Sequence, residues 1–342
     1  MKVHFVGFVF LALVTLFCHK WIEQYTAIGP DMLSGQWQVR AQDRYQGMIQ
    51  NGILSIESQD PLKSISIYQN VAGFKPGMLL RLCADISSEK VTPGLKPWNR
   101  ARLLLVQNDG KKDRWDFHHS LAVIEGSLKW KRFDDVFTVS LLTEKLQVVA
   151  QMSRCTGRFE VKNISLVPVA VNSVYTWTAR VVLFIWAVFG LLVMGSFLVR
   201  VRDNRALRVL MGLAFAGIII GTTMPVGLKN QMIKDVKIGA EAVKETVLPL
   251  DKQELLWKPD KVGHFCFFAL FSCVMTLLMN HESVFCIPVY VIMVAAGTEF
   301  AQMFIGGRTA SLGDFFIDMA GGALGIMICL ISGYLNKNIK KR

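Results

Sequence analysis

The chain has 342 residues, 52% of them hydrophobic, with a mean hydropathy of +0.37, which excludes an ordinary soluble domain and points to a membrane protein. The formal net charge is +12, but the excess sits beside apolar segments, in "RVRDNRALR" (200–208) and "NKNIKKR" (336–342), where basic residues set topology and meet anionic lipid. With no zinc-finger spacing and no RNA-binding signature, nucleic acid is excluded as a partner.

Residues 3–19, "VHFVGFVFLALVTLFCH", form an apolar run behind Lys2. The following "TLFCHKWIE" offers no small-residue cleavage pattern, and bulky Phe17 before Cys18 does not suit a lipoprotein cysteine. Residues 1–19 therefore read as an uncleaved transmembrane anchor.

Residues 20–175 read as a soluble domain. Nine short runs alternate apolar and polar residues: "SGQWQVRAQ", "GILSIES", "SISIYQN", "MLLRLCADIS", "ARLLLVQND", "RWDFHHSLAVIE", "KWKRFDDVFTV", "KLQVVAQMSR" and "GRFEVKNISLVPV". Turn residues separate them, in "QDPL", "FKPG", "NDGKKD" and "CTG". Period-two alternation with regular turns predicts an all-β, jelly-roll-like sandwich. Its last run resembles the final strand of galactose-binding-like and carbohydrate-binding modules. Trp37, Trp98, Trp115 and Trp130 offer ring faces to a sugar, but most of them are assigned to the core. Cys83 and Cys155 are the two cysteines of this part. They read either as a disulfide, in an oxidising compartment, or as two buried thiols on neighbouring strands.

Five further apolar runs cover 176–199, 206–226, 262–279, 284–305 and 314–334, each near the ~20 residues that cross a bilayer. With the anchor they predict a bundle of six transmembrane helices, the sandwich inserted after the first. Residues 176–199 are a helix and linker, 206–334 a four-helix membrane domain and 335–342 a basic cytoplasmic tail. The positive-inside rule, applied to either basic cluster, places both termini in the cytoplasm and the β-domain outside the inner (cytoplasmic) membrane. In 227–261, Met232, Val236, Ala240, Val243 and Val247 recur at helical spacing. That segment reads as an amphipathic helix on the outer surface or as a loop.

Polar residues interrupt these spans on one side. Asp260, Lys261 and His264 open the fourth span in "PDKVGH", and Glu299 and Gln302 end the fifth in "GTEFAQ". Arg308, Asp314 and Asp318 fall in "GGRTASLGDFFIDMAGGALG" (306–325). Residues three or four apart share a helix face. Each alone has an ordinary explanation: Asp260 and Asp314 as N-caps, Lys261 snorkelling, Arg308 on a headgroup, His264 on a carbonyl. A carboxylate at mid-span costs ~2.5–3.5 kcal/mol and less near the interface, and it normally finds a partner in the bundle interior, which Arg308 with Glu299 or His264 with Asp318 would supply; Arg308, in the turn between the fifth and sixth spans, can reach back between them. Convergence from three helices predicts one polar pocket opening to the outer leaflet. Gly321, Gly322 and Gly325 continue down the last helix, where small residues let neighbours approach.

"DKVGHFCFFALF" and "TEFAQMFIGGRTASLGDFFIDMAGGALG" resemble the VanZ-like family, over roughly residues 206–333. Asp260, Lys261, His264, Glu299, Gln302, Arg308, Asp314, Gly321 and Gly325 fall on its pattern, and Pro225 matches a proline after its first helix. Asp318 departs from it, since the family more often has Asn there. The resemblance implies a membrane fold and a cell-envelope role, and the family takes its name from a protein linked to teicoplanin resistance. It implies no defined reaction.

The residues themselves are consistent with binding or processing of an envelope lipid or glycan. Glu299, Asp314 and His264 would be catalytic, with a carboxylate as general base. Asp260, Lys261, Gln302, Arg308 and Asp318 would bind substrate, the cations receiving a phosphate. The alternative is a non-enzymatic glycopeptide-resistance or scaffold protein whose polar cluster only locks helices together. A transporter is disfavoured because little polarity lies at mid-membrane depth and no inverted repeat is visible. One histidine gives no metal-ligand spacing, so no metal or cofactor is expected. The expected partners are membrane lipids and an envelope glycan or lipid-linked sugar.

Overall fold

A computed structural model of the protein describes residues 2–33, 35–40, 47–200, 204–224, 259–279, 286–305 and 308–339. The chain divides into two compact units: Gln24–Asn172, and the segments that flank it, Met1–Glu23 with Ser173–Arg342.

The first unit is a two-layer antiparallel sandwich. One sheet runs in the order β3 (Gly47–Gln50), β4 (Ile53–Ser58), β11 (Thr156–Val171), β6 (Leu79–Thr92), β9 (Gly126–Thr138), with β1 (Tyr25–Ala27) also on β11. The other runs β2 (Gln38–Val39), β5 (Ser64–Val71), β10 (Lys145–Ser153), β7 (Ala101–Asn108), β8 (Ser120–Ile124). Alternation decides the faces. On β6, Leu80, Leu82, Ala84 and Ile86 are buried, while Arg81, Cys83 and Asp85 between them are partly exposed. They meet Ile65, Ile67, Leu103, Leu105, Val148 and Ala150 of the facing sheet in one core. Each large aliphatic side chain buried there contributes about 1.5–3 kcal/mol.

The turns expected at "QDPL", "FKPG", "NDGKKD" and "CTG" all join strands. Two strands escaped the alternation pattern. β1 has three residues, too few to show a period. β3 pairs with β4 across Asn51–Gly52, whose φ angles of 51° and 73° are those of a tight hairpin. Only Ser120–Ile124 of the run 114–125 is strand.

The core assignment of the tryptophans fails for three of four. Trp37 packs against the core, but Trp98, Trp115 and Trp130 are exposed. The β9 case was readable: Trp130, Arg132 and Asp134 have the same parity, so all three face outward. Cys83 and Cys155 are both free thiols. Cys155 is fully buried, and burial pushes its thiol up to about 11.

The second unit contains α1 (Lys2–Trp21), α2 (Ser173–Arg200), α3 (Arg205–Thr223), α4 (Pro259–Leu278), α5 (Ile287–Gln302) and α6 (Leu312–Ile339). Five of these are long and apolar enough to cross a membrane; α5 is equally apolar but has 16 residues, or about 24 Å of rise. The run 284–305 thus yields a shorter helix than expected. Helices α1 to α5 share one apolar core, from Phe8 and Leu11 through Trp186, Met211, Phe268 and Phe271 to Val291 and Met293. A polar link ties α1 to α2: the Trp186 indole N–H donates to Thr15 Oγ1 (2.9 Å), and Thr15 donates to Leu11 O (2.7 Å). Pro225 and most of the 227–261 segment lie outside the described residues.

Candidate functional site

The start of α6 organises the polar residues. Ser311 precedes the helix, and its Oγ accepts a hydrogen bond from Asp314 N (3.3 Å). Ser311 is therefore the N-cap, and Asp314 lies inside the first turn. The N-cap role expected for Asp314 is taken by Ser311. "SLGD" is a capping-box spacing that the sequence displayed. In a capping box the acid three residues on accepts from the cap residue's own N–H. Here Glu299, on α5, does so instead: Ser311 N–H donates to Glu299 Oε2 at 2.6 Å. Asp314 is left to pair with Lys261 on α4, 3.6 Å away, both partly exposed.

One turn deeper, His264 Nδ1 lies 3.1 Å from Asp318 Oδ1. Asp318 is fully buried and Glu299 is 8% exposed. Each carboxylate spends one oxygen on a neighbouring element. The other oxygens, Glu299 Oε1 and Asp318 Oδ2, are buried and have no hydrogen-bond partner among the described residues. The charges of Asp314, Asp318 and His264 all act on Glu299, so the four groups form one cluster.

Small residues bring the helices this close. A Cβ on Gly321 would collide with the Phe265 carbonyl, and one on Gly325 with the Ala269 carbonyl and Ser272 Oγ. A Cβ on Gly322 would lie 2.5 Å from Val291 Cγ1 of α5. Further down the same α4–α6 contact, Cys273 and Cys329 bring their sulfurs to 2.8 Å.

Three further predicted site residues are Gln302, Asp260 and Arg308. Gln302 is buried at the end of α5. The Asp260 side chain lies outside the described residues. Arg308 turns to α3 rather than between α5 and α6. Its Nη2 donates to Gly221 O and Met224 O, both at 3.0 Å, and its Nε to Met224 O at 3.3 Å. A cation on the last carbonyls of a helix meets both their unpaired lone pairs and the negative end of the helix dipole. Among the described residues, no three His, Cys, Asp or Glu side chains are placed to chelate a metal.

Residues 227–333 match the VanZ/LLP1 family. The VanZ/LLP1 region thus contains every residue of the cluster, and with the apolar helices it makes the protein a membrane protein. Helices α1, α2 and α3 precede the matched range, yet α1 and α2 share its core and α3 receives Arg308. No curated protein matches the chain. Solved structures similar to part of it include a CBM4 module (14% identity, TM-score 0.29, 42% of this chain and 94% of that one). Another is the N-terminal cellulose-binding domain of Cellulomonas fimi β-1,4-glucanase C (11%, 0.28, 43% and 97%). A third is a family 29 carbohydrate-binding module (15%, 0.25, 42% and 87%). At such scores, any binding by the sandwich has to be argued from its own residues.

The sandwich carries a cleft of about 540 Å³ on its six-stranded sheet, bordered by Ser87, Glu89, Lys129, Trp130, Arg158 and Glu160. The Lys162 ammonium stands 4.1 Å from the Trp130 ring centre. Arg158 pairs with Glu160 at 2.7 Å, and Ser87 Oγ donates to Glu160 at 3.2 Å.

Proposed function

We propose that this membrane protein of VanZ-like type binds, and through Glu299, Asp314 and His264 processes, a hydroxyl-bearing envelope lipid or glycan at the outer leaflet. The observation that carries this reading is the pair of buried carboxylate oxygens without a partner among the described residues, Glu299 Oε1 and Asp318 Oδ2. A buried acceptor left unpaired costs about 1–3 kcal/mol, more when charged, and a bundle that only needed locking would gain by closing it. A ligand hydroxyl supplies the missing donor. A carboxylate that accepts such a proton is placed as a general base. Lys261 brings a cation to the same cluster, and His264 a ring nitrogen.

In this reading the chain crosses the inner membrane six times, with both termini cytoplasmic and the sandwich outside. The exposed Lys111 reports on this: a Lys111→Cys protein reacts with an impermeant maleimide on intact cells. Reaction only after lysis overturns the topology. The Trp130 cleft of the sandwich serves glycan recognition, since an exposed ring among paired polar groups suits a sugar face. Trp130→Ala should abolish binding of the intact protein to a glycan array while changing stability by less than ~0.5 kcal/mol.

The alternative, a helix-locking scaffold, is favoured by a specific feature. Glu299 secures the N-cap of α6, and His264–Asp318 lies directly above the glycine contact of α4 with α6. The two readings separate in Glu299→Gln, Asp318→Asn and His264→Ala proteins purified from membranes. Mass spectrometry of co-purifying lipids and glycans should show a ligand enriched in the wild type and lost from folded, normally abundant variants. Variants that only fall in abundance, or a wild type with no enriched ligand, favour the scaffold.

A further inference from the structure

A cavity of about 430 Å³ lies inside the membrane unit, walled by α2, α3, α4 and α5. It is long. On α2 it reaches from Leu183 to Phe197, fourteen residues or about 21 Å of helix. Its walls are apolar and aromatic, with Phe189, Phe215 and Phe271 among them. The polar groups on the wall donate elsewhere. Thr222 Oγ1 donates to Ile218 O (2.8 Å), Thr223 Oγ1 to Ile219 O (2.7 Å) and Thr298 Oγ1 to Ala295 O (2.8 Å). The Trp186 indole donates to Thr15. Whatever enters this lane finds packing and little to bond with, so the part that enters is hydrocarbon.

One end of the lane is different. Thr222, Thr223 and Ile305 wall it, and Arg308, which is outside the lining, bonds the backbone next to them. Arg308 N–H donates to Ile305 O (3.0 Å), and the guanidinium holds Gly221 O and Met224 O, the carbonyls on either side of the two threonines. Those bonds use Nε and Nη2 and leave Nη1. Among the described residues, Arg308 has no carboxylate within ion-pair distance. The lane therefore has a hydrocarbon body and a cationic mouth.

We infer that this lane binds a single-chain lipid phosphate, its chain between α2 and α5 and its phosphate on Arg308. A chain that carries the phosphate directly on its end matches a narrow lane with a guanidinium at the mouth. A two-chain glycerophospholipid matches it less well, since its second chain has no lane. This deepens the lipid-binding reading above and rests on it for the class of ligand.

The test uses the full-length protein in nanodiscs of phosphatidylcholine, titrated with 12-bromododecyl phosphate, whose bromine quenches indole fluorescence. Trp186 lines the lane, and Trp186→Phe defines the background from the other tryptophans. Saturable quenching of the Trp186 component is expected. Gly190→Leu, whose Cβ meets Phe215 at an ordinary 3.4 Å, fills the lane and should weaken binding at least about tenfold. Ala187→Val serves if that variant does not fold. Arg308→Gln should also weaken binding about tenfold, and Arg308→Lys less than about threefold. The lane-filling and Arg308 variants report on this inference and ligand co-purification with the Glu299 variant reports on the polar-cluster reading, so either can fail alone. Equal midpoints for 12-bromododecanol would remove the phosphate from the proposal. Equal midpoints for a brominated phosphatidylglycerol would replace its ligand. Unchanged binding in the lane-filling variants, or no quenching in the wild type, overturns it.

Discussion

The sandwich and the helical bundle solve the same packing problem with opposite residues. Between the sheets, the contacts are large and apolar: Leu82 and Ile86 against a facing layer that includes Ile67 and Leu103. Between α4 and α6 the contact is made by Gly321 and Gly325, which lie on the carbonyls of Phe265 and Ala269. The solvent explains the difference. In water, removing apolar surface is itself the driving force. In lipid that force vanishes between helices, and close van der Waals approach with a few buried polar bonds takes its place. Charges follow the same division. On the sandwich the ion pairs lie outside, as Arg81–Asp134 and Arg132–Asp85 do across β6 and β9, and Arg102, held by Gln151, is the buried exception. In the bundle, Asp318 and Glu299 lie inside and hold helices to one another.

The comparison breaks first at Gly325. Gly325→Leu has no room beside Ala269 and Ser272 and should cost more than about 3 kcal/mol. The expected outcome is loss of a monodisperse protein in detergent, while the β-signal of the sandwich in circular dichroism persists. A folded bundle would mean that the glycines are not what sets the α4–α6 distance. Next comes Leu82→Ala, fully buried between the sheets, predicted to lower the urea-unfolding free energy of a 24–172 fragment by about 2–5 kcal/mol. A cost below that range would show that the sandwich does not depend on its aliphatic layer.

Ser311→Ala tests the hinge of the polar cluster and should cost about 1 kcal/mol, the worth of an N-cap. The backbone bond to Glu299 survives this change, so a thermal scan should shift only slightly and ligand co-purification should persist. The smallest effect is expected at Cys155. Its thiol, pushed up to about 11 by burial, should resist maleimide in the folded sandwich at pH 8 and react once urea unfolds it. Because the folded value lies above the unfolded one, this group's stabilisation is complete below pH 9 and is lost as pH rises through about 11. Prompt labelling at pH 8 would place Cys155 outside the core.

Much of this architecture was legible before any coordinates. Strand alternation, four turns and all six apolar runs needed only local chemistry, because period and polarity are properties of neighbouring residues. Some legible signals were overlooked. Asn51–Gly52 announced the β3–β4 hairpin, "SLGD" announced the cap of α6, and the parity of Trp130 with Arg132 and Asp134 announced an exposed ring. The unusual polarity of Lys261, His264, Glu299, Arg308, Asp314 and Asp318 was equally plain, as was their gathering at one end of their helices.

Which of those groups meet was legible only in part: of the two pairings the sequence offered, His264 with Asp318 forms and Arg308 with Glu299 does not. Spacing puts Asp314 and Asp318 on one helix face, but it does not say that Asp314 takes Lys261. Nothing local sends Arg308 to α3, 84 residues away, or lends Glu299 to the cap of another helix. The free oxygens of Glu299 and Asp318, and the lane beneath Arg308, exist only once four or more helices have packed. A pattern along the chain reports what each residue prefers to touch, whereas a pocket is a relation among residues that the chain itself keeps far apart.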